Sequence, residues 1–315
     1  MNCLICDTKI IDKTKNVDHL YFGKKSEILN CKNCDYSFFL KAIEDENHDK
    51  NFSSYYLNSN TFNPSIQTIP NLFEPIGIRN FANISLIKVF KFLKKKMNIL
   101  EIGPGYPGML YIFKTIMSGE NKNEKERGSN FFSIENDTES LKKLDKLDIK
   151  NICEYFPSKE CNKYQNYFDI IITINSFYYF RNPKESLKLI LSMLKKDGIL
   201  YLDILSDKMM HEDYFKSNPL SHIYSKKSLK KLAKIVGLEI VFLEYSSKNN
   251  TPKLYSERIR KIDKSIIKKI FNRLLKNFGF VPSKEIENHL FYSEDFDQTA
   301  SEIDAGRIRA IFRKN

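Results

Sequence analysis

Ile99-Leu100-Glu101-Ile102-Gly103-Pro104-Gly105-Tyr106-Pro107-Gly108 runs from a short apolar strand, opening at Met97, straight into three glycines. Apolar Met109, Leu110, Ile112 and Phe113 resume behind them at helical spacing, so the order is strand, glycine turn, helix. Such a turn lets backbone approach a ligand closely, and the helix start offers free N–H groups. The G-x-G-x-x-G spacing also fits a dinucleotide-binding turn, with a pyrophosphate against the helix N-terminus. Taken alone, the pattern leaves the ligand open.

Upstream, Leu86, Val89, Phe90 and Leu93 mark a lead-in helix. Downstream the alternation repeats. Phe131 to Glu135 reads as a strand, Glu139 to Leu147 as a helix and Ile149 to Glu154 as the next strand. Phe168-Asp169-Ile170-Ile171-Ile172-Thr173-Ile174 is nearly continuous in apolar character, as expected of a strand covered on both faces. A helix at 184–195 is broken by Asp197-Gly198 before a strand from Ile199 to Ile204. A helix at 226–236, a strand from Leu238 to Glu244 and an edge strand from Arg307 to Arg313 complete the series. This order predicts an α/β fold: a doubly wound, mostly parallel sheet with crossover helices. An insertion at about 245–305 carries a helical apolar face through Ile259, Ile262, Ile266 and Ile270, and Gly119 to Asn130 is a polar surface loop.

Composition narrows the classes. With 42% hydrophobic and 13% aromatic residues over 315 positions, the chain can bury a sizeable core and is not intrinsically disordered. Nowhere do eighteen apolar residues run together, so no membrane span is expected, and Met1-Asn2-Cys3 does not open a signal peptide. A cytoplasmic location follows as the expectation. Fifty-one basic against thirty-nine acidic residues give a net charge of +12. The excess is only partly gathered, into Lys91 to Lys96, Lys226 to Lys234 and Arg258 to Lys276. Nucleic acid therefore stays a secondary expectation.

Residues 1–45 differ from the rest. Two C-x-x-C pairs, Cys3/Cys6 and Cys31/Cys34, bracket a polar stretch too short for a core of its own. Four thiolates around one tetrahedral Zn²⁺ would staple it, and the absence of an export signal argues against disulfides. Asp7 and Asp35 follow the second cysteine of each pair, where knuckles commonly carry glycine. His19 is read as a surface histidine, and Cys153 and Cys161 as ordinary free thiols.

Glu101, two residues ahead of Gly103, would crowd a pyrophosphate but suits a ligand with positive charge, such as the ammonium and sulfonium of S-adenosylmethionine. Glu135, at the next strand end, can accept both ribose hydroxyls of either ligand. Residues 97–204 resemble the core of class I, seven-stranded S-adenosylmethionine-dependent methyltransferases. Ile99-Leu100-Glu101-Ile102-Gly103-Pro104-Gly105 matches that family's first motif. Phe168-Asp169-Ile170-Ile171 and Leu194-Lys195-Lys196-Asp197-Gly198-Ile199-Leu200 match its fourth-strand block and the turn beyond. One departure is that Tyr106-Pro107 delays Gly108 by one position.

The resemblance implies a Rossmann-like fold in which Glu101, Gly103, Gly105 and Gly108 surround the methionine portion, Glu135 the ribose and Glu154 the adenine edge. Asn175, after the fourth strand, joins the cofactor set. With the cysteine pairs and Tyr55-Tyr56, the chain resembles a bacterial group with an N-terminal zinc-binding domain, whose members include sugar C-methyltransferases. The implied organisation is a knuckle at 1–45, a linker and lead-in helix at 46–96, and a methyltransferase domain at 97–315.

Methyl transfer from a sulfonium is an in-line displacement, and only the acceptor needs a base. Relatives frequently carry Glu-His after the fourth strand. Here Tyr178-Tyr179 stands there, with Tyr179 at the histidine position. His222, before the Lys-rich helix, is the remaining acid/base candidate, ahead of His211; His48 and His289 have no supporting context. The leading expectation is a methyltransferase acting on a small molecule, most plausibly a sugar or nucleotide sugar. An RNA methyltransferase, a cofactor-binding scaffold without catalysis and a nicotinamide enzyme are the competing readings.

Overall fold

The computed structural model describes residues 1–10, 15–52, 89, 91–94, 96–105, 110, 113–114, 128–209, 212–216, 219–247 and 305–315. Gly108, Tyr55-Tyr56, His211, His289 and residues 248–304 of the inserted segment lie outside them, as does most of the lead-in helix.

Seven strands form the main sheet: β4 (Asn98–Ile102), β5 (Asn130–Ile134), β6 (Lys150–Cys153), β7 (Phe168–Ile174), β8 (Leu194–Leu205), β10 (Leu238–Ser247) and β11 (Ala305–Lys314). Their order is β10-β11-β8-β7-β4-β5-β6. The five from β6 to β8 pair in parallel, while β11 runs antiparallel to both of its neighbours. β7 is apolar on both faces because helices cover both: Ile170 and Ile172 pack on one side with Leu110 and Phe113, Phe168 and Ile171 on the other with Leu187 and Ile190.

Local chemistry sets the boundaries. In α3 (Pro183–Met193), Asn182 caps the start by accepting from the Glu185 N–H, with proline next. The helix ends at Met193, two residues before the expected stop, and β8 begins at once. The Asp197-Gly198 bend falls inside that strand. Asp197 has φ +61°, and a Cβ on Gly198 would stand 2.8 Å from the Lys195 carbonyl oxygen, so only glycine fits. The helix expected at 226–236 is found as α5 (Lys226–Val236), held by a reciprocal Ser225/Ser228 capping box and ended by Gly237 at φ +82°.

A second sheet has the order β1-β2-β3-β9, from β1 (Lys15–His19), β2 (Gly23–Cys31), β3 (Tyr36–Phe39) and β9 (His222–Ile223). The two-residue β9 comes from the connection between β8 and α5. The N-terminal segment is thus completed by the main domain, and α1 (Leu40–Glu44) closes it. Shorter helices are α2 (Thr138–Lys146) and α4 (Glu212–Phe215).

Two expectations are corrected. The strand at Arg307–Arg313 is not at the edge but lies between β8 and β10, with Arg309 fully buried. Its alternating polarity reads as a half-exposed strand because the neutralising partner, Asp203 on β8, is a hundred residues away. His19 is not on the surface: it is 4% exposed, stacked on Phe22, and its Nδ1 accepts from the Tyr21 and Phe22 N–H groups. That fixes the proton on Nε2, which donates to the Leu220 carbonyl at 2.8 Å. No helix among the described residues is long and apolar enough to cross a membrane.

Candidate functional site

The parallel strands end together at one edge, where β4 lies between β5 and β7. Gly103 follows β4 with φ +65° and Gly105 has φ +51°, conformations in which a side chain is strained. Gly103 has a second constraint: a Cβ there would lie 3.0 Å from the Ser176 Cβ, and Ser176 Oγ donates to the Ile102 carbonyl. The loop after β7 is thereby pinned to the glycine turn.

Glu135 sits at the tip of β5, 8% exposed. Its Oε2 accepts from the Gly105 N–H at 2.7 Å, and its Oε1 from the N–H groups of Asn136 and Asp137 at 2.8 and 3.0 Å. Burial raises its pKa against the pull of those donors. The backbone beneath is set by Asn151 of β6, which accepts from the Glu135 N–H and donates to the Glu135 carbonyl. Sequence reasoning passed over Asn151, a polar residue of the short strand Lys150–Cys153 whose partners lie on the neighbouring strand.

Glu101 is 3% exposed on β4, and its Oε2 has no hydrogen-bond partner among the described residues. Burial first, then the nearby Glu135 charge, push its pKa up to about 8, while the Leu110 backbone opposes the shift. A carboxyl held in this way, beside an open backbone turn, has its ion pairing unmet. A cation with hydrogens to donate would satisfy it. Glu154, just past β6, is exposed.

On the other side of β4, Asn175 ends β7 with φ +57°. Its Oδ1 accepts from Arg307 Nη2 at 2.7 Å. Tyr179 lies in the turn at Phe177–Tyr179, half-buried and stacked on Phe52 at 4.3 Å between ring centroids. His222 is placed differently from a pocket-mouth histidine. It is 1% exposed in β9, shares a 2.7 Å hydrogen bond with the Tyr36 hydroxyl, and burial pulls its pKa down to about 3. His48, which had no context in the sequence, is fully buried, with Nε2 2.8 Å from Ser221 Oγ and its pKa lowered by burial to about 4. Burial favours the neutral form of both; His222 ties β9 to β3, and His48, beyond α1, is tied to Ser221 just before β9. Glu101, Gly103, Gly105, Glu135 and Asn175 therefore converge at the strand edge, whereas His222 stands inside the junction of the two sheets.

The four N-terminal cysteines converge elsewhere. The Sγ atoms of Cys3, Cys6, Cys31 and Cys34 all lie within 4.8 Å of one another, with Cys3 to Cys34 at 3.6 Å and Cys6 to Cys31 at 3.5 Å. Tetrahedral Zn–S bonds of about 2.3 Å set S···S edges of about 3.8 Å. The donor set is compatible with zinc. Asp7 at φ +58° and Asp35 at φ +53° adopt the left-handed turn that glycine often supplies, and aspartate is among the few residues that tolerate it. Cys153 and Cys161 are free thiols as expected, but buried and 3.6 Å apart.

The sequence profile of a family described as a methyltransferase domain matches residues 79–243. No curated protein matches the chain in sequence. Among solved structures, the complex between the Haloferax volcanii Trm112 methyltransferase activator and a methyltransferase is similar at TM-score 0.49 and 10% identity, covering 82% of this chain and 97% of that one. A Haemonchus contortus phosphoethanolamine N-methyltransferase bound to S-adenosyl-L-methionine is similar at TM-score 0.49 and 15% identity, over 83% of this chain and 59% of that one. An S-adenosylmethionine-dependent methyltransferase from Thermotoga maritima gives TM-score 0.45 and 14% identity, over 81% and 100%. With more than half its length matched by that profile, the chain belongs to the methyltransferase-domain family and is a class I S-adenosylmethionine-dependent methyltransferase.

Proposed function

We propose that this enzyme methylates a small molecule, with a sugar or nucleotide sugar as the acceptor, and that Cys3, Cys6, Cys31 and Cys34 hold a structural Zn²⁺. The observation that carries the cofactor assignment is the buried Glu101 Oε2, without a hydrogen-bond partner among the described residues, beside a turn in which Gly103 and Gly105 have positive φ. In this reading Glu101 meets the ammonium end, Gly103 and Gly105 give close backbone approach, Glu135 accepts from the ribose, and Glu154 stands at the adenine edge. Bound there, S-adenosylmethionine supplies a methyl group on a sulfonium. The chain aligns the acceptor and excludes water.

A small acceptor is favoured over RNA because several basic residues are neutralised locally, two of them against the N-terminal segment and two within the main domain. Lys184 pairs with Asp7, Lys227 with Asp35, Lys188 with Glu185 and Lys195 with Asp169. In this reading Tyr179, half-buried on the loop after β7, touches the acceptor. His222 ties β9 to β3 through Tyr36, so in this reading its part in any proton transfer is indirect.

Calorimetry with S-adenosylhomocysteine tests the cofactor reading. Glu135→Ala is expected to weaken binding about tenfold or more, the scale of lost hydrogen bonds to a charged acceptor. Undiminished affinity removes Glu135 from the site.

Glu101 adds a pH signature. Its folded pKa of about 8 lies above its ordinary 4.5, so over that range the folded chain holds a proton that the unfolded chain releases. Its contribution to stability is complete below about pH 4.5 and is lost as pH rises toward 8. Cofactor binding demands the ionised form, so affinity rises over the same window and binding releases a proton. Calorimetry in buffers of different ionisation enthalpy reads that release, and Glu101→Gln abolishes it. Proton release unchanged by Glu101→Gln would show that another group is responsible.

A further inference from the structure

Asn175 and Glu135 flank the glycine turn from opposite sides, one residue past the ends of β7 and β5. If Glu135 takes the ribose, the amino-acid end of the cofactor lies toward Asn175. Glu101 suits the ammonium of that end but repels its carboxylate, which needs a donor.

Arg307 determines which atom Asn175 offers. A guanidinium can only donate hydrogen bonds. Its Nη2 stands 2.7 Å from the Asn175 amide, so the oxygen of that amide faces Arg307 and the NH2 group faces away. The orientation is anchored deeper in the fold. Arg307 Nε donates to Asp203 Oδ1 at 2.5 Å, Arg309 Nε donates to Asp203 Oδ2 at 3.0 Å, and the Asn175 N–H donates to the Asp203 carbonyl at 2.9 Å. Asp203 is fully buried and Arg307 is 5% exposed, so neither guanidinium nor carboxylate is free to turn. Asn175 itself is half-buried, and among the described residues its Nδ2 donates no hydrogen bond.

From this we infer that Arg307 is a positioning residue: with Asp203 it locks the Asn175 amide so that Nδ2 donates to the carboxylate of the bound cofactor. The inference rests on the cofactor reading above and assigns that ligand's anionic end.

The test exchanges a donor for an acceptor at nearly constant shape. Asn175→Asp keeps an oxygen toward Arg307, and aspartate tolerates the φ of +57°, but it presents O⁻ where NH2 stood. Binding of S-adenosylhomocysteine is expected to weaken about tenfold or more. Binding of its decarboxylated analogue, which keeps the ammonium, is expected to stay level or tighten. Asn175→Ala is expected to weaken the parent ligand less than Asn175→Asp, because it removes the donor without adding repulsion. Arg307→Met is expected to weaken it as well, yet to add nothing when combined with Asn175→Ala.

Equal losses for both ligands, unchanged affinity in Asn175→Asp, or full additivity of Arg307→Met with Asn175→Ala overturn the inference. A wild-type chain that binds no S-adenosylhomocysteine overturns the cofactor reading, and this inference with it. Wild-type binding that survives Asn175→Asp overturns the inference alone.

Discussion

Cys34→Ser is expected to lower the thermal midpoint by about 10 °C or more, and a strong chelator is expected to do the same to the wild-type chain. Structural zinc contributes about 10–16 kcal/mol of binding free energy in isolated zinc-finger peptides, and each kcal/mol corresponds to about 2–4 °C in a domain of this general size. The effect should spread beyond the knuckle. Cys31 ends β2, and Cys34 precedes β3, which pairs with β9 and carries Tyr36 against His222. The Cys34 carbonyl also accepts from Ser225 Oγ, the cap of α5. Loosening the cysteines therefore releases the loop before β9 and the start of α5 together. Scanning calorimetry and metal analysis of the purified chain check this. A serine variant with wild-type stability, or a wild-type chain that carries no zinc, would remove the metal from the fold.

Asp203→Ala is the second large effect. The carboxylate is fully buried and takes both Arg307 and Arg309, themselves 5% and 0% exposed. Removing it leaves two guanidiniums in the interior without their shared counter-ion, a change of the kind that destabilises by about 3–5 kcal/mol. Arg307 would also lose the anchor that aims Asn175, so S-adenosylhomocysteine binding should fall in whatever fraction remains folded. Urea unfolding monitored by fluorescence of the tyrosines, with calorimetry below the transition, reads both losses. A variant within about 1 kcal/mol of the wild type would mean that the arginines reach water or another anion, contrary to the burial that puts such pairs among the costly ones to break.

These two sites mark how much of the molecule was readable from residue order. The cysteine cluster was, because C-x-x-C brings two sulfurs together by local geometry and only one pairing of the two knuckles had to be guessed. Its positive-φ aspartates looked like a departure from glycine, yet they adopt the same turn. The Asp203 group was not readable. Arg307 and Arg309 lie a hundred residues from their counter-ion, and alternation along β11 gave the pattern of a half-exposed edge. Antiparallel insertion between β8 and β10 produces the same alternation when the polar face is buried and neutralised.

The histidines show the same divide. His222 was singled out by its place before a helix, and His48 and His19 were passed over. All three are in fact buried at the junction that forms when β9 adds to β3, a pairing across about 185 residues that no local signal announces.

The succession of strands and helices through the core, the glycine turn, both acidic strand tips and the capping of α5 follow from neighbours within a few residues, since periodicity, backbone freedom and capping are short-range effects. The neutral state of His222, the raised pKa of Glu101 and the aim of the Asn175 amide depend on which distant groups are packed against them. Burial and long-range pairing exist only once the chain has closed on itself.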